Sequence, residues 1–191
     1  MLCALIGDTL GNFSALDPAI AAVQAAGIQT ILQTGNVAVG PDPDACIGRL
    51  RTAGVLCAQG SLDRLLVRFN RKQRVLETRV GPDAFAALAD ASGRISSANL
   101  EWLGTLPRLL RAEIDGIAVL VCHGAPDGGA EPLEPDIPDN RLERYREHAL
   151  SALVAVGGPA PPFHRWVADT LFVHPGPVAA DPHTAQYAIV D

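Results

Sequence analysis

A chain of 191 residues, 48% of them apolar, has enough hydrophobic material for one large core, which excludes an extensively disordered protein. Its formal net charge of −6, with arginines that look dispersed and Lys72 as the only lysine, argues against nucleic acid as the main ligand, because phosphate backbones demand clustered cations. No apolar run is long enough to span a bilayer and no basic segment followed by an apolar stretch opens the sequence, so a cytoplasmic protein with no membrane partner is expected.

Residues 2–6 form a short apolar run that reads as a buried strand ending at Gly7-Asp8. Asn12 or Ser14 then caps a helix running to about Gly27. Residues 30–33 make the next strand, 43–52 a helix opened by Asp42 or Asp44, and 54–58 a third strand. Strand and helix alternating at this spacing imply right-handed parallel crossovers, with the loops after the strands carrying any motif. Residues 64–94 have helical propensity, and Ser96 or Ser97 caps a short helix at 98–103 closed by Pro107. Strands at 109–114 and 117–122 flank Asp115-Gly116, a hairpin signal.

Residues 124–140 are rich in Pro and Gly and carry Asp127, Glu131, Glu134, Asp136 and Asp139 with no basic residue, the composition of a solvated, mobile lid. A helix at 141–150, a strand at 152–156 and antiparallel strands near 165–168, 170–173 and 186–190 complete one domain, 1–191. Parallel units first and hairpins later predict an α/β protein of two packed mixed sheets covered by helices. Cys3, Cys46, Cys57 and Cys122 show no metal-type spacing and read as reduced, buried thiols.

Six segments follow one another in register: Gly7-Asp8-Thr9-Leu10-Gly11-Asn12, Thr34-Gly35-Asn36, Gly60-Ser61-Leu62-Asp63, Cys122-His123-Gly124, Gly157-Gly158-Pro159-Ala160 and His174-Pro175-Gly176-Pro177. In order and spacing the chain resembles the calcineurin-like metallophosphoesterases, in particular their small bacterial-type phosphodiesterase branch. That resemblance implies a four-layer αββα sandwich and a two-metal phosphoester-hydrolysis site. In such chemistry a carboxylate bridges two cations about 3.5–4 Å apart while imidazoles and carboxylates fill each coordination sphere.

Carried over position by position, Asp8 matches the first carboxylate and His123 a histidine ligand. The bridging aspartate falls on Asn36, and the family's asparagine ligand on Ser61. Leu10, Leu62, Gly158 and Ala160 stand where the family has histidines. Asp63 matches an aspartate that would orient the histidine replaced by Leu62. Asp8, Asn12, Asn36, Ser61, Asp63 and His123 thus form a remnant site. Asp8, Asn36, His123 and His174 are its residual metal candidates, and the pocket is expected to be more apolar.

Asp8 without a cation is expected to accept turn hydrogen bonds from Gly11 and Asn12. Arg64 is expected in solvent, with His148, His164 and His183 as ordinary surface or packing residues. Two functions remain open on these residues. One is a non-catalytic binding or regulatory protein without a cofactor, its partner another protein, a small phosphorylated ligand or a second copy in a homodimer. The other is a phosphoesterase with an atypical mononuclear Mn, Zn or Fe centre.

Overall fold

The computed structural model describes residues 2–129, 131–178 and 185–191, and His183 lies outside them. Strands β1 (Cys3–Ile6), β2 (Thr30–Gln33), β3 (Leu56–Cys57) and β9 (Ala188–Val190) form one sheet in the order β3-β2-β1-β9. Strands β4 (Leu109–Ile114), β5 (Ile117–His123), β6 (Leu153–Gly157), β7 (Phe163–Val167) and β8 (Thr170–His174) form the other, ordered β4-β5-β6-β8-β7. The pairs β1–β2, β2–β3, β5–β6 and β6–β8 are parallel. The pairs β1–β9, β4–β5 and β7–β8 are antiparallel.

The period-two alternation of a strand explains the layering. Cys3 and Leu5 of β1 face the second sheet, meeting Val119 and Val121 of β5 and Leu153 and Ala155 of β6 in an inter-sheet core. Ala4 and Ile6 point the other way, onto helices α1 (Phe13–Ala25), α2 (Pro43–Thr52) and α3 (Ser61–Arg79), and this layer also holds α4 (Pro82–Arg94) and α5 (Ser97–Thr105). Leu120, Val154, Val156 and Phe172 leave the opposite side of the second sheet and pack on Leu142, Tyr145 and Ala149 of α6 (Asp139–Ala149). Helix, sheet, sheet, helix is the expected four-layer sandwich.

Local signals account for most boundaries. Asn12 Oδ1 accepts from Ala15 N–H at 3.1 Å and starts α1, and Ser96 Oγ accepts from Asn99 N–H at 3.3 Å and starts α5. Asp115 (φ 53°) and Gly116 (φ 78°) both take left-handed backbone, as a two-residue hairpin requires. The expected strand at 54–58 is reduced to Leu56–Cys57, since Gly54 (φ 66°) still belongs to the turn that ends α2. Asp42 heads α2 without a side-chain cap bond, while Asp44 instead accepts from Ser96 N–H and Asn99 Nδ2 and ties α2 to α5. All four cysteines are free and buried. No helix of the described residues is long and apolar enough to cross a membrane.

The stretch expected to be a solvated lid is anchored at two points. Leu133 and Ile137 are buried against the α6 side of the second sheet, Arg165 Nη1 donates to Ile137 O at 2.6 Å, and Arg165 and Arg141 pair with Asp139 and Glu131. The basic partners come from outside the stretch, so its own composition could not reveal them.

Neighbouring strand positions test this layering. Phe172 is 0% exposed and Trp166 is 67% exposed on the adjoining strand. Phe172→Ala is expected to lower urea-unfolding stability by about 3–5 kcal/mol and Trp166→Ala by less than about 1 kcal/mol. Equal losses would contradict the assignment of β8 to the core.

Candidate functional site

Parallel pairing brings the carboxyl ends of β1, β2 and β3 together, and those of β5, β6 and β8 likewise. The loops after these strands meet in a cleft of about 400 Å³ whose wall includes Asp8, Asn36, Ser61 and His123 with Leu10, Leu62, Pro132, Gly158 and Pro159. Two glycines permit the approach. A Cβ on Gly60 would overlap the backbone nitrogen of Asn36, and one on Gly35 (φ 111°) would lie 2.7 Å from Gly60 Cα and 2.9 Å from His123 Cβ. Gln33, fully buried at the end of β2, braces the loop by accepting from Gly35 N–H at 2.7 Å and donating to Gly35 O at 2.8 Å.

Asp8 is buried and has three partners, none of them the expected N–H groups of Gly11 and Asn12. Those two donate instead to Val37 O and Thr9 O. Asn36 Nδ2 donates to Asp8 Oδ2 at 2.9 Å and Gly158 N–H to Asp8 Oδ1 at 3.2 Å. His123 Nε2 lies 3.3 and 3.4 Å from the two carboxylate oxygens. Asn36 itself sits at φ 54°, a left-handed conformation that asparagine tolerates better than most residues. Its orientation is set from behind, because Leu62 N–H donates to Oδ1 at 2.9 Å and so turns the NH₂ group toward Asp8.

Asp63 does not orient a histidine. Its Oδ1 accepts from Val37 N–H (2.9 Å) and Ala38 N–H (3.3 Å), and its Oδ2 accepts from Gly60 N–H (2.9 Å). Burial pushes its carboxyl pKa up, and the three N–H donors from Gly60, Ala38 and Val37 oppose that rise, with His123 adding a weaker lowering influence. Asn12 also lies away from the cleft wall, since its side chain caps α1. Arg64, expected in solvent, is half-buried at the start of α3 with Nη1 3.5 Å from Gln59 O. His148 and His164 are exposed, as expected.

His174 is 1% exposed and stacks on Phe163 at 5.7 Å. Gly176 N–H donates to its Nδ1 at 3.0 Å, so the neutral ring carries its proton on Nε2. A Cβ on Gly158 would lie 3.7 Å from that Nε2 and 3.7 Å from Pro132 Cβ, which places the nitrogen behind the cleft floor. Nε2 of His174 and Nδ1 of His123 are buried with no hydrogen-bond partner among the described residues. Burial drives the His174 pKa down to about 4, against the attraction of Asp8 and with the help of His123.

These donors do not fit a two-metal centre. A bridging ligand must show lone pairs to both cations, whereas Asn36 shows N–H to Asp8 and spends its oxygen on Leu62. His174 offers an N–H where a single-ion site would need a lone pair. Among the described residues no group of three or more His, Cys, Asp or Glu side chains could hold a metal ion. A second depression of about 450 Å³, between α6 and the start of β8, is lined by Arg146, Glu147 and Asp169 and contains no buried titratable group.

No family model matches the sequence, and no curated protein matches it. The fold is nonetheless shared with solved structures. A hypothetical protein from Pyrococcus horikoshii has a TM-score of 0.87 at 22% identity, over 100% of this chain and 83% of that one. A metallophosphoesterase from Sphaerobacter thermophilus has a TM-score of 0.73 at 22% identity, over 100% and 83%. Vacuolar protein sorting 29 from Cryptosporidium parvum has a TM-score of 0.56 at 17% identity, over 93% and 74%. The chain has the metallophosphoesterase fold.

The tautomer of His174 has a thermodynamic signature. Between pH 6.5 and about 4 the unfolded chain binds a proton that the folded ring refuses, so this contribution to stability is whole above pH 6.5 and is lost as pH falls through that window. Wild type is expected to lose about 3 kcal/mol more than His174→Gln across it, read by urea unfolding at each pH. Parallel pH profiles would contradict a neutral, buried ring.

Proposed function

We propose that this protein is a non-catalytic member of the calcineurin-like metallophosphoesterase family that works in the cytoplasm as a binding or regulatory protein. The observation that carries this reading is the Asn36 amide, which donates to Asp8 from the position the family gives to the bridging carboxylate. The Asn36 N–H donor stabilises the Asp8 carboxylate by hydrogen bonding and occupies an oxygen that a cation would need.

The cleft that results suits a ligand with an apolar body and a hydrogen-bonding end. Leu10, Leu62, Pro132 and Pro159 supply apolar wall, and Asn36, Ser61 and His123 are the polar side chains set among them beside Asp8.

A mononuclear phosphoesterase is the second reading, favoured by the one contact between Asp8 and His123 that survives from the family's ligand set. Elemental analysis after saturation with Mn and Zn separates the two. The binding reading expects less than about 0.1 ion per chain, whereas near one ion supports the enzyme and two would overturn the argument from Asn36.

Restoring the bridge gives an independent check. Asn36→Asp sets two carboxylates side by side, so the variant is expected to lose about 1–3 kcal/mol at pH 7 and to recover it on addition of Mn. Wild type is expected to show no Mn-dependent rise in Tm. Stabilisation of wild type by Mn would sink the non-catalytic reading.

A further inference from the structure

The arginines that look dispersed along the sequence converge on α3. This helix holds Arg64, Arg68, Arg71, Lys72, Arg74 and Arg79, six of the 15 basic residues, against Asp63 and Glu77, which leaves the rest of the chain at a formal −10. Asp63 is fully buried and bonded to loop N–H groups, so Glu77 alone represents acid on the outer surface of the helix. Leu66, Phe69 and Leu76 fix the inner face. On the other side Arg64, Arg68 and Arg71 follow at i, i+4 and i+7 up to a break at Lys72 (φ −127°, ψ 19°), and exposed Val75 and Arg79 continue past it. From Arg64 to Arg79 the stripe is about 22 Å long.

None of these six cations enters an ion pair among the described residues. Arg108 adds a seventh charge at the foot of the helix, because Gln59 N–H donates to Pro107 O at 2.7 Å and Arg64 reaches Gln59 O. Partial burial holds the Arg64 guanidinium below its usual range, and the neighbouring charges of Arg108 and Arg68 push it the same way against the opposing pull of buried Asp63. Among the described residues no exposed carboxylate pairs with these cations, so the outer face of α3 is complementary to an anionic partner.

The character of the stripe narrows that counterpart. Five of the six cationic side chains on α3 are arginines, whose planar forks match carboxylates two bonds at a time. Val75, 45% exposed, interrupts the charges, and half-buried Leu65 and Val67 flank them. An apolar contact of this kind has no use on a phosphate backbone. The one aromatic residue of α3, Phe69, is buried, so no ring is presented for stacking a base. A duplex or an anionic lipid surface would also meet the remaining negative charge of the molecule. A helix with acidic residues at matching i, i+4, i+7 positions and an apolar residue between them satisfies both the arginines and Val75.

We infer that the outer face of α3 is the docking surface for an acidic amphipathic helix of a partner protein. This surface lies outside the cleft, and the inference holds whether or not the cleft binds metal.

The test uses the whole chain and a labelled helix-forming peptide of about 20 residues, with Glu at i, i+4 and i+7 and Leu between them on one face. Fluorescence anisotropy at about 0.1 M salt reads the binding. The expected result is saturable binding, weakened about tenfold by Arg68→Glu with Arg71→Glu and about threefold or more by Val75→Asp. A scrambled peptide of the same composition is expected to bind at least about fivefold more weakly. If the double charge reversal fails to fold, Arg68→Gln with Arg71→Gln carries the same comparison.

Equal binding of the scrambled peptide would overturn the inference. So would tighter binding of a single-stranded oligonucleotide or of phosphatidylserine vesicles in the same buffer. A dimer by light scattering that the double variant converts to monomer would assign the face to a second copy and would equally overturn it.

Discussion

Asp63 holds a charge-bearing group fully out of water, and its two oxygens collect N–H donors from two separate loops, Val37-Ala38 and Gly60. A buried carboxylate is tolerated only when hydrogen bonds replace its hydration, so both loops are constrained to present their N–H groups at once. That constraint places Asn36 just before the Val37 donor, and Ser61 and Leu62 just after the Gly60 donor. The cleft wall therefore inherits its geometry from a group that does not touch the cleft. Gly35 and Gly60 complete the arrangement by letting two strand ends come closer than side chains would permit.

On that frame the cleft is organised by hydrogen bonds that converge on one acidic residue. Asp8 receives an amide, a backbone N–H and an imidazole, and the amide is in turn held by Leu62 N–H. Every contact in this chain fixes the direction of the next. His174 follows the same logic, because the Gly176 N–H behind it decides which nitrogen carries the proton in front. The polarity of the cleft is thus written in the backbone as much as in the side chains that line it.

Much of this could be read along the chain, and the failures have specific causes. The Asn12 and Ser96 caps, the Asp115-Gly116 hairpin and the strand–helix alternation are local, and they appear where the residues place them. Asp8, Asn36, Ser61 and His123 come together because each ends or follows a strand in parallel pairing, which the spacing of the motifs already implies. The clamp at Asp63 was not legible, since its partners are backbone groups that every residue possesses. The buried Gln33 left a faint trace as a polar residue closing an apolar strand. The lid misled because Arg141 and Arg165, which bind it, lie outside its own stretch. The stripe on α3 is a different kind of miss: spacings of three and four between arginines are a helical period, and reading them as dispersed ignored it.

The pairing of Cys3 with Val190 joins β1 to β9 across 187 positions of sequence. Loop closure over such a span gains nothing until the intervening chain has collapsed, so β9 is the last strand of its sheet to add. Until then β1 presents an unpaired, wholly apolar edge beside β2. Closing that edge therefore falls to the last strand of the sequence, and the sheet is complete only when the two ends of the described fold have met.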